Sequence, residues 1–165
     1  MLIIYLLLIL VCMILCKLID TILYILYKIK INNLLENIST KEDLFDTRCK
    51  DFINVIAEVF KRKGYKVEIT DKCGEDGQGL VLDNLQYVDL TKHGLRHIVD
   101  VERAMKLAKC MSSNSIFRGT LITLGDFKQN TRKFCHKNVI KCINGDQLLA
   151  MCKEVQKKKE VLQTS

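Results

Sequence analysis

The chain has 165 residues, which is enough for one folded domain and a short additional segment. Hydrophobic residues make up 48% of it and charged residues 27%, which excludes an intrinsically disordered chain. The net charge of +7 suits a polyanionic partner, but many ordinary domains carry such a charge, so it does not by itself predict nucleic-acid binding.

The first element is an apolar segment that predicts a membrane anchor. Residues 1–16 contain no charged or strongly polar side chain. A helix of this length spans about 24 Å, less than the hydrocarbon core of about 30 Å. The helix must therefore continue past Lys17, whose long side chain can reach the interface. Tyr24 and Tyr27 are spaced to lie at headgroup level, followed by Lys28.

This segment does not fit a secretory signal peptide, because it has neither a basic beginning nor a small-residue cleavage site. Lys28 and Lys30 follow the apolar run. The positive-inside rule then predicts a single crossing with the C-terminal domain in the cytoplasm. We assign residues 1–30 to the anchor and juxtamembrane segment, with residues 2–27 contacting the membrane, and residues 31–46 to a linker.

The eight cysteines show no metal-binding spacing. No pair has the Cys-x2-Cys arrangement, which argues against a zinc ribbon. Several fall on apolar faces of predicted helices and strands, where a free thiol behaves as a small hydrophobic group. We predict reduced cysteines in a cytoplasmic domain, and we assign no metal ligands.

Helix and strand patterns alternate through residues 47–156, which we assign to one domain. The first helix has Asp46 or Thr47 as its predicted N-cap and Gly64 as its C-cap. Apolar side chains recur on one face of this helix: Phe52, Ile53, Ile56 and Phe60. Residues 65–70 alternate between apolar and polar side chains, as a half-buried strand does. Residues 80–91 predict a hairpin of two strands around Asp83-Asn84.

The later elements predict helix-linked strands. We expect a helix over about 98–111, a strand over 116–124, a helix capped by Asp126 through about 137, a strand over 139–143, a helix from Gly145 to about 156, and a charged tail over 157–165. The hairpin makes part of the sheet antiparallel, and the helical crossovers favour parallel pairing of the later strands. The order predicts an α/β fold of three layers with a mixed central sheet.

Several local phrases stand in a fixed order and spacing: Asp51-Phe52, Phe60-Lys61-Arg62-Lys63-Gly64-Tyr65, Lys92-His93, Leu121-Ile122-Thr123-Leu124-Gly125-Asp126-Phe127, Asn138-Val139-Ile140 and Ile143-Asn144-Gly145-Asp146. Together they resemble the Mrr-type restriction endonuclease domain of the PD-(D/E)xK nuclease superfamily. Some bacterial members of that family also carry an N-terminal transmembrane helix. The resemblance covers about residues 48–152 and implies a restriction-endonuclease-like fold.

The resemblance also implies what the site should contain. The family hydrolyses phosphodiesters with a divalent cation such as Mg²⁺, which oxygen ligands hold and a lysine assists. An aspartate begins the second strand, a glutamate or glutamine stands two residues before the lysine on the third, and a helix glutamate often completes the set. These acid positions fall at Gly79, Leu90 and Ile53, and only Lys92 matches. The resemblance thus implies a degenerate active site, with Mg²⁺ as a cofactor only if the protein is active.

Two nearby acids are candidates for displaced catalytic ligands beside Lys92. Asp76 lies in the glycine-rich turn, where an aspartate is more often a turn former. Asp89 stands next to the family's acid position and should face the other side of the sheet unless a bulge shifts the register. If Asp89 is buried it needs a partner, for which Lys92, His93 and His97 are candidates.

Basic residues after the third strand and around the fourth are candidates for phosphate contacts. The predicted DNA-binding residues are His93, Arg96, Arg118, Lys128 and Arg132. Such residues give sequence-independent affinity for double-stranded DNA through counterion release. An ordinary solvated basic face is an equally good explanation of the same pattern.

Three functions therefore remain open. The first is a membrane-anchored Mrr-like domain, similar to type IV restriction endonucleases, that binds DNA with lost or weakened cleavage. The second is an active Mg²⁺-dependent DNA endonuclease that uses displaced acids. The third is a non-enzymatic membrane adaptor on an inherited nuclease scaffold.

Overall fold

The computed structural model describes residues 2–75 and 78–164. The helices in these ranges are α1 (Leu2–Asn37), α2 (Lys41–Asp46), α3 (Cys49–Arg62), α4 (Val101–Ser113), α5 (Gln129–Lys137) and α6 (Gly145–Thr164). The strands are β1 (Val67–Glu75), β2 (Gln78–Leu82), β3 (Gln86–Thr91), β4 (Ile98–Val99), β5 (Arg118–Thr123), β6 (Asp126–Phe127) and β7 (Ile140–Ile143).

The central sheet is mixed, as predicted. Its five strands lie in the order β1-β2-β3-β5-β7, antiparallel from β1 to β3 and parallel from β3 to β7. The turn between β2 and β3 has Asp83 at φ 53° and Asn84 at φ 58°. Two adjacent residues in the left-handed region make the turn that fits strand twist, and both residue types tolerate it. β4 and β6 form a separate two-stranded parallel sheet.

Helices cover both faces of the central sheet, which confirms the three-layer α/β fold. Val88 and Leu90 of β3 belong to a core cluster shared with α1, α3 and α6. Tyr87 of the same strand belongs to a second cluster shared with α4 and α5. Successive side chains of a strand point to opposite faces, so the two clusters lie on opposite sides of the sheet.

The segment predicted as a linker over 31–46 is helical and part of the domain. Ile31, Leu35 and Ile38 are each at most 5% exposed and belong to the core cluster beside α3. The spacing of Ile31 and Leu35 places them on one helix face, and Ile38 follows the end of α1. Intervening polar side chains made the segment appear polar in sequence, but Asn32 and Glu36 accept hydrogen bonds from Arg62 of α3.

Polar contacts attach the end of α1 to α3. The Lys30 ammonium lies 2.6 Å from a carboxylate oxygen of Asp51, whose side chain is 9% exposed. Six residues further along α1, Glu36 pairs with Arg62 at 2.8 Å. Gln156 of α6 donates to the Leu35 carbonyl at 2.5 Å. The last part of α1, from Lys30 to Glu36, is therefore fixed to α3 and α6.

The earlier part of α1 is exposed. The side chains described from Tyr5 to Lys30 are all exposed. Ile9–Asn37 is long and apolar enough to cross a membrane, by length and composition, and an 18-residue window within it has a mean hydropathy of 2.4. At 1.5 Å per residue the 36 residues of α1 extend about 54 Å, well beyond a hydrocarbon core of about 30 Å.

Several predicted helix ends shift. Asp46 ends α2 and Thr47 is its C-cap, so neither caps α3, whose N-cap is Arg48 without a side-chain hydrogen bond. Asp126 lies in β6, and α5 begins only after Lys128. Residues 157–164, predicted to be a tail, continue α6.

The cysteines are not all reduced. Cys110 is disulfide-bonded, so the prediction of reduced thiols does not hold at that position. Cys135 and Cys142 are free, and a hydrogen bond between their thiols raises the pKa of Cys135 and lowers that of Cys142. Burial raises the pKa of Cys152 to about 12.

Candidate active site

The positions that the resemblance assigns to metal ligands lie in an apolar environment. Ile53 of α3 is 8% exposed and Leu90 of β3 is 5% exposed, and both belong to the same core cluster. Gly79 lies on β2 opposite Asp89. None of the three side chains offers an oxygen to a cation. In the described part of the chain, no group of three or more His, Cys, Asp or Glu residues is placed to hold a metal ion.

Lys92 follows β3 and points to the same face as Leu90, as the period of two predicts. Its ammonium donates a hydrogen bond to the carbonyl oxygen of Thr47, in the turn between α2 and α3. The same nitrogen lies 5.8 Å from the ring centroids of Phe45 and of Phe52. The family's lysine thus contacts a backbone carbonyl and two aromatic faces.

Asp89 lies on the opposite face of the sheet from Lys92. Its carboxylate accepts two hydrogen bonds from Arg103 of α4, from Nε at 2.6 Å and from a terminal nitrogen at 2.5 Å. The side chain is 3% exposed, so this charge is nearly removed from water. The prediction that a buried Asp89 needs a partner holds, and Arg103, which was not among the candidates, is such a partner. The structure does not bring Asp89 and Lys92 together.

Asp76 lies outside the described residues. Asp83, at the other turn of the hairpin, accepts a hydrogen bond from the backbone N–H of Lys66 at 2.7 Å. That acid therefore stabilises the β2–β3 turn and its neighbouring strand, as aspartates in turns commonly do.

Four of the five predicted DNA-binding residues gather at one end of the sheet. His93 and Arg96 are exposed in the segment between β3 and β4, where His93 and His97 stack edge-to-face with centroids 4.9 Å apart. The His97 carbonyl accepts from the backbone N–H of Asp126, 3.0 Å away. This bond joins the segment between β3 and β4 to the part of the chain that carries Lys128 and Arg132.

Lys128 and Arg132 already have acidic neighbours. Lys128 lies 2.6 Å from Asp100, and both side chains are at least half exposed. Arg132 pairs with Asp126 and lies 5.4 Å from the ring centroid of Phe127. The backbone N–H of Phe127 and the Arg132 guanidinium hold the pKa of Asp126 below its usual value. Exposed pairs of this kind are weak and exchange readily with other charged partners.

Arg118 is separated from this group. It begins β5 opposite Gln86, whereas the histidine segment follows Thr91, which pairs with Thr123 at the end of β5. Five residues of strand span about 17 Å. Arg118 is exposed at the other end of the sheet.

Two contacting residues were missed from the sequence. Arg103 lies in a predicted helix, and the need of Asp89 for a cation was the available signal for it. Phe45 lies in the segment predicted as a linker, where nothing in the sequence placed it beside Lys92.

Comparison with known families agrees with the residues that carry the resemblance. The family model Mrr_cat, described as restriction endonuclease, matches residues 46–152. The match covers about two thirds of the chain and includes the complete central sheet. Comparisons with curated proteins and with solved structures gave no significant match.

Proposed function

Because the chain belongs to the restriction endonuclease family of Mrr type, we propose that it is a membrane-anchored DNA-binding member that has lost cleavage. The single observation that carries the loss of cleavage is the environment of Lys92. Its ammonium contacts the Thr47 carbonyl and the rings of Phe45 and Phe52, with aliphatic side chains at the neighbouring acid positions.

The chemistry of the donor set supports this proposal. Metal-assisted hydrolysis needs carboxylate or carbonyl oxygens that hold the cation and water that it can activate. Ile53 and Leu90 instead bury hydrocarbon where a hydrated cation would lie. Asp89 cannot replace them while it faces α4 and pairs with Arg103. The described residues do not fit Mg²⁺, and the proposal includes no catalytic metal.

DNA binding is supported by the basic group at the carboxyl end of β3 and β5. His93, Arg96, Lys128 and Arg132 share that end and are exposed. Phosphates can compete with Asp100 and Asp126 for the two paired cations, because those ion pairs are solvated. Contacts of this type do not read base sequence, so we expect non-specific binding that weakens with salt.

Membrane anchoring is supported by the exposed apolar length of α1. A soluble monomer rarely exposes a contiguous apolar surface of this size. The fixed end of α1 begins at Ile31, which leaves about 29 residues to cross a bilayer and its headgroup region. Lys28 and Lys30 at the domain end favour a cytoplasmic domain.

The test uses the full chain in lipid nanodiscs with a fluorescent DNA duplex and a plasmid. We expect duplex affinity that falls steeply between 50 and 200 mM salt, on the order of tenfold or more for a few phosphate contacts. The double variant Arg96→Gln/Lys128→Gln should weaken binding. The control Lys106→Gln/Lys109→Gln removes the same charge from α4 and should bind duplex as the wild type does. We expect no plasmid cleavage with Mg²⁺ or Mn²⁺.

Two outcomes oppose the proposal. Metal-dependent cleavage that Lys92→Ala abolishes shows an active endonuclease with displaced ligands. Duplex binding that is absent, or indifferent to salt, favours the non-enzymatic adaptor.

A further inference from the structure

A cavity of about 330 Å³ lies between α1 and α3, away from the site of Lys92. It is lined by residues of both helices: Tyr24, Tyr27, Lys28 and Ile31 from α1 and Asn54, Glu58, Lys61 and Arg62 from α3. At this cavity the Tyr27 hydroxyl donates to the Asp51 carboxylate of α3, and the side chains described before Tyr27 on α1 are exposed.

The charge in this cavity is positive. Arg62 is compensated, because it pairs with Glu36 at 2.8 Å and with Glu58 at 3.3 Å. Lys28 and Lys61 are both exposed, and among the described residues neither has an acidic group in ion-pair contact. Two uncompensated ammonium groups from facing helices therefore line one opening.

The position of the cavity along α1 indicates which part of a bilayer the two ammonium groups would contact. Tyr24 is 66% exposed and Tyr27 is 38% exposed, and the exposed apolar surface of α1 ends beside them. Tyrosines occur at the headgroup level of membrane helices, and lysines there attract anionic lipids. An opening at this level faces lipid phosphates on one side and acyl chains on the other.

We propose that the cavity between α1 and α3 binds the phosphate of an anionic phospholipid, with Lys28 and Lys61 as its cationic ligands. The inference rests on the membrane anchor of the proposed function and does not involve the DNA-binding surface. Tyr24 lines the same cavity, and a tyrosine hydroxyl can donate to a phosphate oxygen. The acyl chains then lie along the exposed apolar side of α1 below Tyr24. The structure accounts for both halves of such a ligand.

The test measures lipids that remain bound to the full chain by native mass spectrometry in a neutral detergent. We expect phosphatidylglycerol to bind in preference to phosphatidylcholine. Lys28→Gln/Lys61→Gln should weaken phosphatidylglycerol binding about 25-fold, from about fivefold per lysine. The control pair Lys106→Gln/Lys109→Gln removes the same charge from α4, on the other face of the sheet, and should retain wild-type binding.

Several results overturn the inference. Equal binding of the two lipids, or an equal loss in both variant pairs, means that the cavity does not select an anionic phospholipid. Displacement of phosphatidylglycerol by millimolar inorganic phosphate identifies a site for free anions instead. Co-sedimentation with phosphatidylcholine vesicles separates a failure of this site from a failure of the membrane anchor. A chain that enters the vesicles but shows no lipid preference by mass spectrometry refutes this site alone. A chain that stays in solution refutes the anchor and the site together.

Discussion

Asp89 and Arg103 form a two-bonded ion pair on the α4 side of the sheet, with distances of 2.6 and 2.5 Å between nitrogen and oxygen. Asp89 precedes Leu90, the position at which the family pattern places an acid. Its two hydrogen bonds with Arg103 connect β3 to α4. Asp89 thus has a structural role, because it holds α4 against the third strand.

Removal of either partner should destabilise the protein strongly. Arg103→Ala removes both of these hydrogen bonds from the buried Asp89 carboxylate, at a cost of about 3–5 kcal/mol in the free energy of unfolding. Thermal and urea unfolding of the full chain in detergent, followed by circular dichroism, measures this cost. Asp100→Ala breaks the exposed pair with Lys128 and should cost less than about 1 kcal/mol. Similar losses in the two variants would contradict a buried structural role for the Asp89 pair.

Lys92 should contribute to stability and not to catalysis. Lys92→Met removes the hydrogen bond to the Thr47 carbonyl and the attraction to two rings, so we expect a loss of about 1–3 kcal/mol. Unfolding experiments on the variant test this, with Lys66→Met on the exposed pair with Glu68 as the control. A Lys92→Met protein as stable as the wild type would show that these contacts contribute nothing.

Asp43 gives the protein a specific acid sensitivity. The backbone N–H groups of Ser39 and Thr40 donate to its carboxylate and lower its pKa from 3.8 to about 2. Because the folded pKa is depressed, the resulting stability is present above about pH 4 and is lost as the pH falls toward 2. Asp43→Asn should reduce the loss of stability between these pH values, as unfolding midpoints at pH 6 and pH 2.5 would show. A variant that retains the full acid loss would refute this assignment.

Gly125 is required by a close approach of two backbone segments. A Cβ atom at this position would lie 1.9 Å from the carbonyl oxygen of His97. Gly125→Ala should therefore displace the segment with His93 and Arg96, destabilise the protein by more than about 2 kcal/mol and weaken duplex binding. Gly94→Ala is the matched control, because a Cβ there meets nothing within 4 Å. Equal tolerance of both substitutions would be inconsistent with this packing.

Cysteine labelling tests the membrane assignment of α1. Cys12, Cys16 and Cys49 are all exposed and free in the protein structure. In lipid nanodiscs a charged maleimide should modify Cys49 on the domain but not Cys12 or Cys16, because lipid covers the latter two. Denaturation in detergent should make all three reactive. Rapid labelling of Cys12 in nanodiscs would show that this part of α1 lies in water.

Local patterns predicted most of the domain. Asp83 and Asn84 suit the left-handed turn that they form, and the alternation on β3 correctly placed Leu90 and Lys92 on one face. The two-residue strands β4 and β6 were missed, because pairs of this length have no periodicity to detect. The helical end of α1 was missed because Ile31, Leu35 and Ile38 are recognisable as core residues only when α3 and α6 pack beside them.

The surroundings of the site were harder to predict than its residues. The resemblance located Gly79, Leu90 and Ile53, and the structure shows that Leu90 and Ile53 are buried in the apolar core. The Thr47 carbonyl that contacts Lys92 is a backbone group, so no side-chain pattern identifies it. Arg103 became the partner of Asp89 through the packing of α4 on the sheet, which sequence spacing alone does not specify.

The continuity of α1 has a mechanical consequence. With its outer part in a bilayer, the helix enters the domain core at Ile31 without a flexible joint. The domain then turns and tilts with its anchor as one body and cannot sweep the volume that a flexible tether permits. Its basic end therefore stays at a set height above the lipid surface. Partners held near the membrane meet that end at a high effective concentration, whereas those deeper in solution must diffuse to it.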